Sequence, residues 1–393
     1  MHGRAGRRFA SVTTTVGCMI RTLAIENYRS LREVTLELGQ LTVITGTNGS
    51  GKSNVYRALR LLSEIVRDGA LGSLAAEGGM HSALYAGKRD SSRPVALRLG
   101  CATDDFSYAI DLGLPQLPAF SVPGTARLLD PEVKTEAVWH GPILRPAALL
   151  AERRSLAVRL RDRSGALVLS DWRVRDSESM LATLSSPADT PELFSLRESA
   201  RRWRFIDNLR TDVDAPARRA GPVSFTPVLD PSGANFTGAV ATVLGVGDGD
   251  RLQRAVADAF GGSEIVLDGD NHGVAQVCLT QPGLERRVSA AELSDGTLRF
   301  LLLATALLSP RPPELLVLNE PEGSLHPSLL PVLAALIGDA AQHTQVVVVT
   351  HAQPLVQALA HEAQLIELEK EGGATSVRGQ LRFEGPHWSW PKR

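Results

Sequence analysis

The chain has 393 residues, 43% hydrophobic and 22% charged, and a net charge of −1. That length buries one large core or two moderate ones, and near-neutral charge excludes a global field that would draw in nucleic acid, so any DNA contact must come from a local patch. Cys18, Cys101 and Cys278 stand far apart, with no paired-cysteine or Cys/His spacing, which argues against a disulfide framework or structural zinc site and fits a reducing, cytoplasmic setting.

Residues 1–18 carry Arg4, Arg7 and Arg8 and lack the apolar stretch of a signal peptide, so a disordered extension is expected there, with Met19 as an alternative start. No run approaches the roughly 18 apolar residues of a membrane helix. Residues 19–25 and 41–45 read as strands. Between Gly46 and Ser53 the chain fits G-x-x-x-x-G-K-[ST] at every fixed position. Apolar residues at helical spacing follow, over 53–62. A strand, a glycine turn and a helix start together form a phosphate-binding loop. The amides of Asn48, Gly49, Ser50, Gly51 and Lys52 would close on the phosphates, and the helix start adds its positive dipole end. Lys52 would neutralise the β- and γ-phosphates and Ser53 would offer its hydroxyl to Mg²⁺.

Downstream, residues 95–99 and 106–112 alternate like antiparallel strands, and further strands are expected at 137–140 and between 157 and 172. Residues 181–214 read as a polar, helical lid or clamp. Residues 222–249 are rich in glycine and proline and read as a linker. Arginines at 153–163 and 201–210 could pair with DNA backbone, but Glu198, Asp207 and Asp212 interrupt the second group, and such runs are more often solvated faces.

Ser294 and Gly296 open a long apolar helix running to about Leu308, a second anion site at a helix N-terminus or simply a capped helix start. Residues 314–318 and 345–349 read as strands buried on both faces. The first ends at Asn319 and Glu320, the second at Thr350 and His351. Ligands of open α/β sheets sit at such carboxyl ends. Glu320 is placed to deprotonate an attacking water and His351 to hydrogen-bond the γ-phosphate.

In kind and order these pieces resemble the ATP-binding-cassette ATPase superfamily. Asn27 to Ser30 ahead of the first hairpin, Asn48 and Asn54 within and after the loop, and the run from Asn319 to Pro327 followed by His351 are similar to its RecF-like and SMC branch. The resemblance implies an α/β P-loop fold: a two-lobed head with a mixed sheet, an antiparallel β lobe and a helical insertion. It implies ATP and Mg²⁺ as ligands, Arg29 near the nucleotide, Ser294 and Gly296 acting across an ATP-dependent homodimer, and Ser324 to His326 helping to pair the two sites. Asn319 replaces the usual metal-shell aspartate, so weaker Mg²⁺ binding and slow turnover are expected, with Asn319→Asp tightening it. The glutamine expected between the lobes has two candidates, Gln116 and Gln253.

More than half the chain separates Ser53 from Ser294, as in the SMC branch, but no sustained heptads fill the gap. The expected division is 1–18 extension, 19–112 N-terminal lobe, 113–240 insertion and 241–393 C-terminal lobe, with residues 386–393 a frayed end whose Trp388 and Trp390 could pack on the body. The expected role is ATP hydrolysis driving head dimerisation in DNA repair or genome maintenance. The alternative is an ATP-gated switch of a partner effector such as a nuclease. DNA and a partner protein both remain open as ligands, and a membrane partner is not expected.

Overall fold

The structure is a computed structural model, and it describes residues 19–88, 94–115, 130–269, 272–380 and 385–393. The expected extension 1–18 and the candidate Gln116 lie outside them. Strands β1 (Ile20–Tyr28), β2 (Leu31–Glu37) and β3 (Leu41–Gly46) lead into α1 (Lys52–Asp68), α2 (Ala70–Ala76) and α3 (Gly79–Ala83). A run of antiparallel strands follows: β4 (Leu97–Thr103), β5 (Phe106–Gly113), β6 (Glu132–His140), β7 (Leu149–Arg154), β8 (Ala157–Arg161) and β9 (Leu167–Arg173). Next come α4 (Met180–Leu184), α5 (Pro191–Arg201), β10 (Arg204–Ile206), β11 (Gly221–Pro222), α6 (Phe236–Gly245) and α7 (Gly249–Ala259). Then β12 (Glu264–Gly269), β13 (Val274–Thr280) and β14 (Val288–Ser289) form a small sheet with β11, ahead of α8 (Asp295–Leu307). The chain closes with β15 (Leu315–Asn319), α9 (Leu330–Ala341), β16 (Gln345–Val349), α10 (Gln353–Leu359), β17 (Gln364–Glu371) and β18 (Ala374–Val377).

The central sheet runs β10-β15-β16-β3-β17-β18, parallel except for the last pairing. Both its faces are covered, which is why β15 and β16 are continuous apolar runs rather than alternating ones. Ile44, Val317, Val347 and Val349 pack toward α1 and the antiparallel sheet. Their neighbours Val43, Leu316, Leu318, Val346 and Val348 pack toward α6 to α10. Each such side chain contributes about 1.5–3 kcal/mol by leaving water. A cavity-forming Leu318→Ala would cost about 2–5 kcal/mol.

Helix α1 turns Val55, Leu59, Leu62 and Val66 inward and Arg57 and Arg60 outward, as 3.6-residue spacing requires. Gly69, at φ 101°, ends it with its N–H on the Ile65 carbonyl, a conformation that costs a Cβ-bearing residue more.

Three expected segments differ in the structure. Residues 181–214 are not a separate helical lid: α4 and α5 share the core of α1, with Ser63 Oγ donating to Ala200 O at 3.2 Å. After α5 the chain enters the central sheet as β10. Residues 222–249 are more than a linker, because Phe236, Val240 and Val243 of α6 are buried against the central core. The tail is not frayed, and its two tryptophans pack on the body. Trp388 lies 5.6 Å from Trp139 and 5.5 Å from Trp390, and Arg393 donates to both carboxylate oxygens of Asp111 at 2.7 and 2.8 Å. The expected division at 112/113 falls inside β5, at its last residue, and β5 pairs along its length with β6 within one eight-stranded sheet.

Candidate active site

Parallel pairing brings the carboxyl ends of β3, β10, β15 and β16 to one edge of the sheet. The glycine-rich loop leaves β3 at this edge. Gly51 caps α1 at φ 107°, and a Cβ there would run into Thr375 Oγ1 and Ser30 Oγ. Only glycine fits, because other elements close on the loop from outside. Thr375 of β18 donates its hydroxyl to Ser50 O at 2.7 Å and meets Ser30 Oγ at 2.8 Å, and Asn54 Nδ2 donates to Ser30 Oγ at 2.8 Å. The β1–β2 turn and the last strand therefore brace the loop from both ends of the chain. Asn48 and Gly49 are exposed, and Gly49 stands at φ 77°.

Lys52 is buried and donates to Gly46 O at 2.8 Å and Thr47 O at 3.0 Å, folding its ammonium over the loop. Burial pulls that ammonium below the usual lysine range, opposed by the carboxylates of Glu320 and Glu322. Lys52 and both acids thus share one local field. Ser53 is the second residue of α1, in its first turn.

The two acids differ sharply. Glu322 is buried and clamps the strand ends: its Oε1 accepts from Thr350 Oγ1 at 2.6 Å, His351 N at 3.1 Å and Ala352 N at 3.2 Å. Glu320 has 45% of its side chain exposed. Its backbone is held at φ 47° by Glu320 N donating to Val349 O at 2.7 Å and Gly323 N donating to Glu320 O at 3.0 Å. A left-handed non-glycine residue costs of order 1–3 kcal/mol, and the surrounding hydrogen bonds hold it there. The His351 ring is half exposed, with Nδ1 3.3 Å from Glu322 Oε1 and 4.0 Å from Glu320 Oε1.

Asn319 Nδ2 donates to Asp207 Oδ1 at 2.8 Å, while Asn319 Oδ1 is buried with no protein partner. Arg299 of α8 reaches under both strand ends, donating through Nη2 to Glu320 O at 3.2 Å and Asp207 O at 3.3 Å. Asp207, Glu322 and Arg299 escaped the reading of the sequence. The available signal for Asp207 was the short run Phe205-Ile206 ending in an acid, as the β15 run is followed by Glu320.

Ser294 caps α8 with its Oγ on Thr297 N, and it is exposed. Buried Arg218 fixes the loop ahead of it, donating to Leu293 O at 2.7 Å and pairing with Asp295 at 2.7 Å. Gly296 packs on the turn after Glu320, because a Cβ there would stand 2.6 Å from Ser324 O. Arg29, also left-handed at φ 49°, is held by an ion pair to Glu77 and a 3.2 Å hydrogen bond to Tyr28 Oη. Gln253 spends both ends of its amide on the backbone of Ile265, at 2.8 and 3.0 Å, and is tied to β12. Among the described residues no helix is long and apolar enough to cross a membrane.

A glycine loop opening a helix at the carboxyl edge of a parallel sheet, with a half-exposed acid on the neighbouring strand end, defines a P-loop ATPase. Residues 145–356 match the family described as "AAA domain, putative AbiEii toxin, Type IV TA system", and residues 19–68 match one described as "AAA ATPase domain". The first match covers more than half the chain, and the chain belongs to that family.

Among curated proteins, 45 residues are 49% identical to an uncharacterized protein of Methanocaldococcus jannaschii, covering 11% of this chain and 20% of that one. A further match, 44 residues at 43% identity, is to an OLD nuclease of Thermus scotoductus, covering 11% of this chain and 8% of that one. The matched stretch is thus a small part of either relative. Similar solved structures include an Smc head bound to the C-winged helix domain of ScpA, at 15% identity and TM-score 0.49 over 91% of this chain and 97% of that one. The SMC head domain from Thermotoga maritima is 17% identical with a TM-score of 0.42, over 91% and 97% of the two chains.

Proposed function

We propose that the chain binds ATP with Mg²⁺ on the loop of residues 46–53, hydrolyses it with Glu320 as base, and pairs with a second copy while ATP is bound. One observation carries this reading: the parallel pairing of β3, β16 and β15 sets the loop that follows β3 and Glu320 at one edge of the sheet. In this reading Lys52 leaves Gly46 O and Thr47 O for the phosphates, which the amides of residues 48–52 cradle. Ser53 Oγ and the unpartnered Asn319 Oδ1 are hard oxygen donors of the kind Mg²⁺ takes. Mg²⁺, when bound, neutralises charge developing on the phosphates. Glu320, not the clamped Glu322, faces solvent and orients the attacking water. His351 beside both acids reads the γ-phosphate. Arg29 would reach a nucleotide only by exchanging Glu77 for it.

The exposed α8 start is the surface through which Ser294 and Gly296 would act on the other copy's nucleotide. Light scattering of Glu320→Gln tests the pairing: a dimer with ATP and a monomer without it is expected, and Ser294→Arg should remain monomeric. A Glu320→Gln protein that stays monomeric with saturating ATP would defeat the dimer reading.

The arginines bear on what the pairing controls. Arg202 pairs with Glu314, Arg201 with Glu198, Arg210 with Asp212 and Arg154 with Glu152. Arg161 is spent on the carbonyls of Leu149, Pro146 and Ala147. Charge already satisfied internally favours an ATP-gated switch of a partner effector over a DNA clamp. The toxin named in the family description and the nuclease match point the same way. Genome maintenance is the second reading. Stimulation of ATP turnover by duplex DNA would favour it, and a stoichiometric co-purifying protein without such stimulation would favour the switch.

A further inference from the structure

The residue pair Asp207 and Asn319 closes two neighbouring strand ends. β10 runs parallel to β15 with Ile206 opposite Leu318, so the next position in register sets Asp207 beside Asn319. Side chains two apart share a face of a strand. Phe205 faces α1, with its ring 5.8 Å from that of Tyr56, and Val317 packs among Val55, Tyr56 and Leu59 of the same helix. Asp207 and Asn319 therefore point toward the helix that begins at Lys52 and Ser53. Tyr56 lies one turn after Ser53 on a shared stripe. Burial, and after it the Asp207 carboxylate, push its phenol up.

The chemistry of the pair is asymmetric. The amide nitrogen of Asn319 is committed to Asp207 Oδ1 at 2.8 Å. The amide oxygen is buried and lacks a protein partner. A buried acceptor without a donor costs about 1–3 kcal/mol, and a cation or its bound water would relieve that cost. An aspartate at position 319 would take away the amide donor that holds Asp207 Oδ1 and set two carboxylates side by side. Asparagine at 319 instead donates to Asp207 Oδ1 and fixes that carboxylate. Arg299 holds the backbone carbonyls after both strands, which ties the two ends to one guanidinium.

We propose that Asp207 carries the carboxylate of the metal shell that Asn319 lacks, with Asn319 orienting it and offering Oδ1 as the neighbouring oxygen. The charge has moved one strand sideways. This deepens the proposed function and rests on nucleotide and Mg²⁺ meeting at Ser53. It also reverses the expectation that Asn319→Asp tightens metal binding.

The test uses the full chain with a non-hydrolysable ATP analogue and Mn²⁺ in place of Mg²⁺, reading bound Mn²⁺ by electron paramagnetic resonance. Asp207→Asn should weaken Mn²⁺ about 10- to 100-fold, the usual loss on removing a shell partner. Metal-free analogue binding should stay as in wild type, which also shows that the variant is folded. Asn319→Asp alone should not tighten Mn²⁺, and the exchange Asp207→Asn with Asn319→Asp should restore it to near the wild-type value. Unchanged Mn²⁺ affinity in Asp207→Asn, or tightening by Asn319→Asp while Asp207 is intact, would overturn the proposal. A wild-type chain that binds no analogue at all would instead overturn the nucleotide reading beneath it.

Discussion

Gly296, in the first turn of α8, lies against the carbonyl oxygen of Ser324, close enough that a Cβ on the glycine would stand 2.6 Å away. Ser324 itself is left-handed, at φ 63°. The exposed helix start and the turn leaving Glu320 are thereby in direct contact within one chain. Gly296→Ala must push backbone, not a flexible side-chain tip, and overpacking of this kind costs about 1–3 kcal/mol. We expect a lower melting temperature, and loss of ATP-dependent dimer at temperatures where the variant is still folded. Light scattering beside a thermal melt checks it.

Lys52→Ala removes the one buried ammonium over the loop. Hydrogen bonds to charged groups contribute about 1.5–3 kcal/mol, so affinity for a fluorescent ATP analogue should fall about 10- to 100-fold. Retention of affinity in a titration would mean that the phosphates do not sit on residues 46–53.

Thr375→Val tests the brace from the far end of the chain. It keeps the shape of the side chain and removes the hydroxyl that donates to Ser50 O and meets Ser30 Oγ. Leaving Ser50 O without its donor and the Ser30 hydroxyl without its acceptor costs about 1–3 kcal/mol. Analogue affinity should drop although position 375 lies outside the loop itself. A variant with reduced stability and unaltered affinity would confine Thr375 to a folding role.

The tail gives a prediction about stability alone. Trp388 sits on Trp139 and over Gly100, and Arg393 joins Arg98 on the carboxylate of Asp111, whose side chain is 1% exposed. Trp388→Ala should destabilise the chain by about 2–3 kcal/mol through lost apolar and ring contacts, read as a shifted denaturant midpoint, with ATP affinity unchanged. An unshifted midpoint would mean the tail contributes no packing energy.

The loop, α1, β15 and β16 were legible in the sequence because short-range rules set them: glycines where φ is positive, helical spacing after Lys52, and unbroken apolar runs for strands covered on both faces. What escaped depended on partners distant in the chain. β10 has only Arg204 to Ile206, too short for a periodic signal, and is a strand because Leu316 to Leu318 pair with it. The glycine- and proline-rich stretch before Gly249 hides α6, whose helix is fixed by burial against α8 and β13 rather than by propensity. Arg29 matches its expected motif, yet its guanidinium is held by Glu77, forty-eight positions away. The pairing of Asn319 with Asp207 is of the same kind: each residue is ordinary alone, and their meaning as a unit follows from sheet order.

The most direct measurement is steady-state ATP turnover by Glu320→Gln beside wild type, with ATP affinity measured on the same preparations. A positioned general base contributes about 10²- to 10⁴-fold, so turnover should fall by at least about 10²-fold while ATP stays bound. Turnover at the wild-type rate would contradict Glu320 as the base and the convergence of its strand end with Lys52 on one triphosphate.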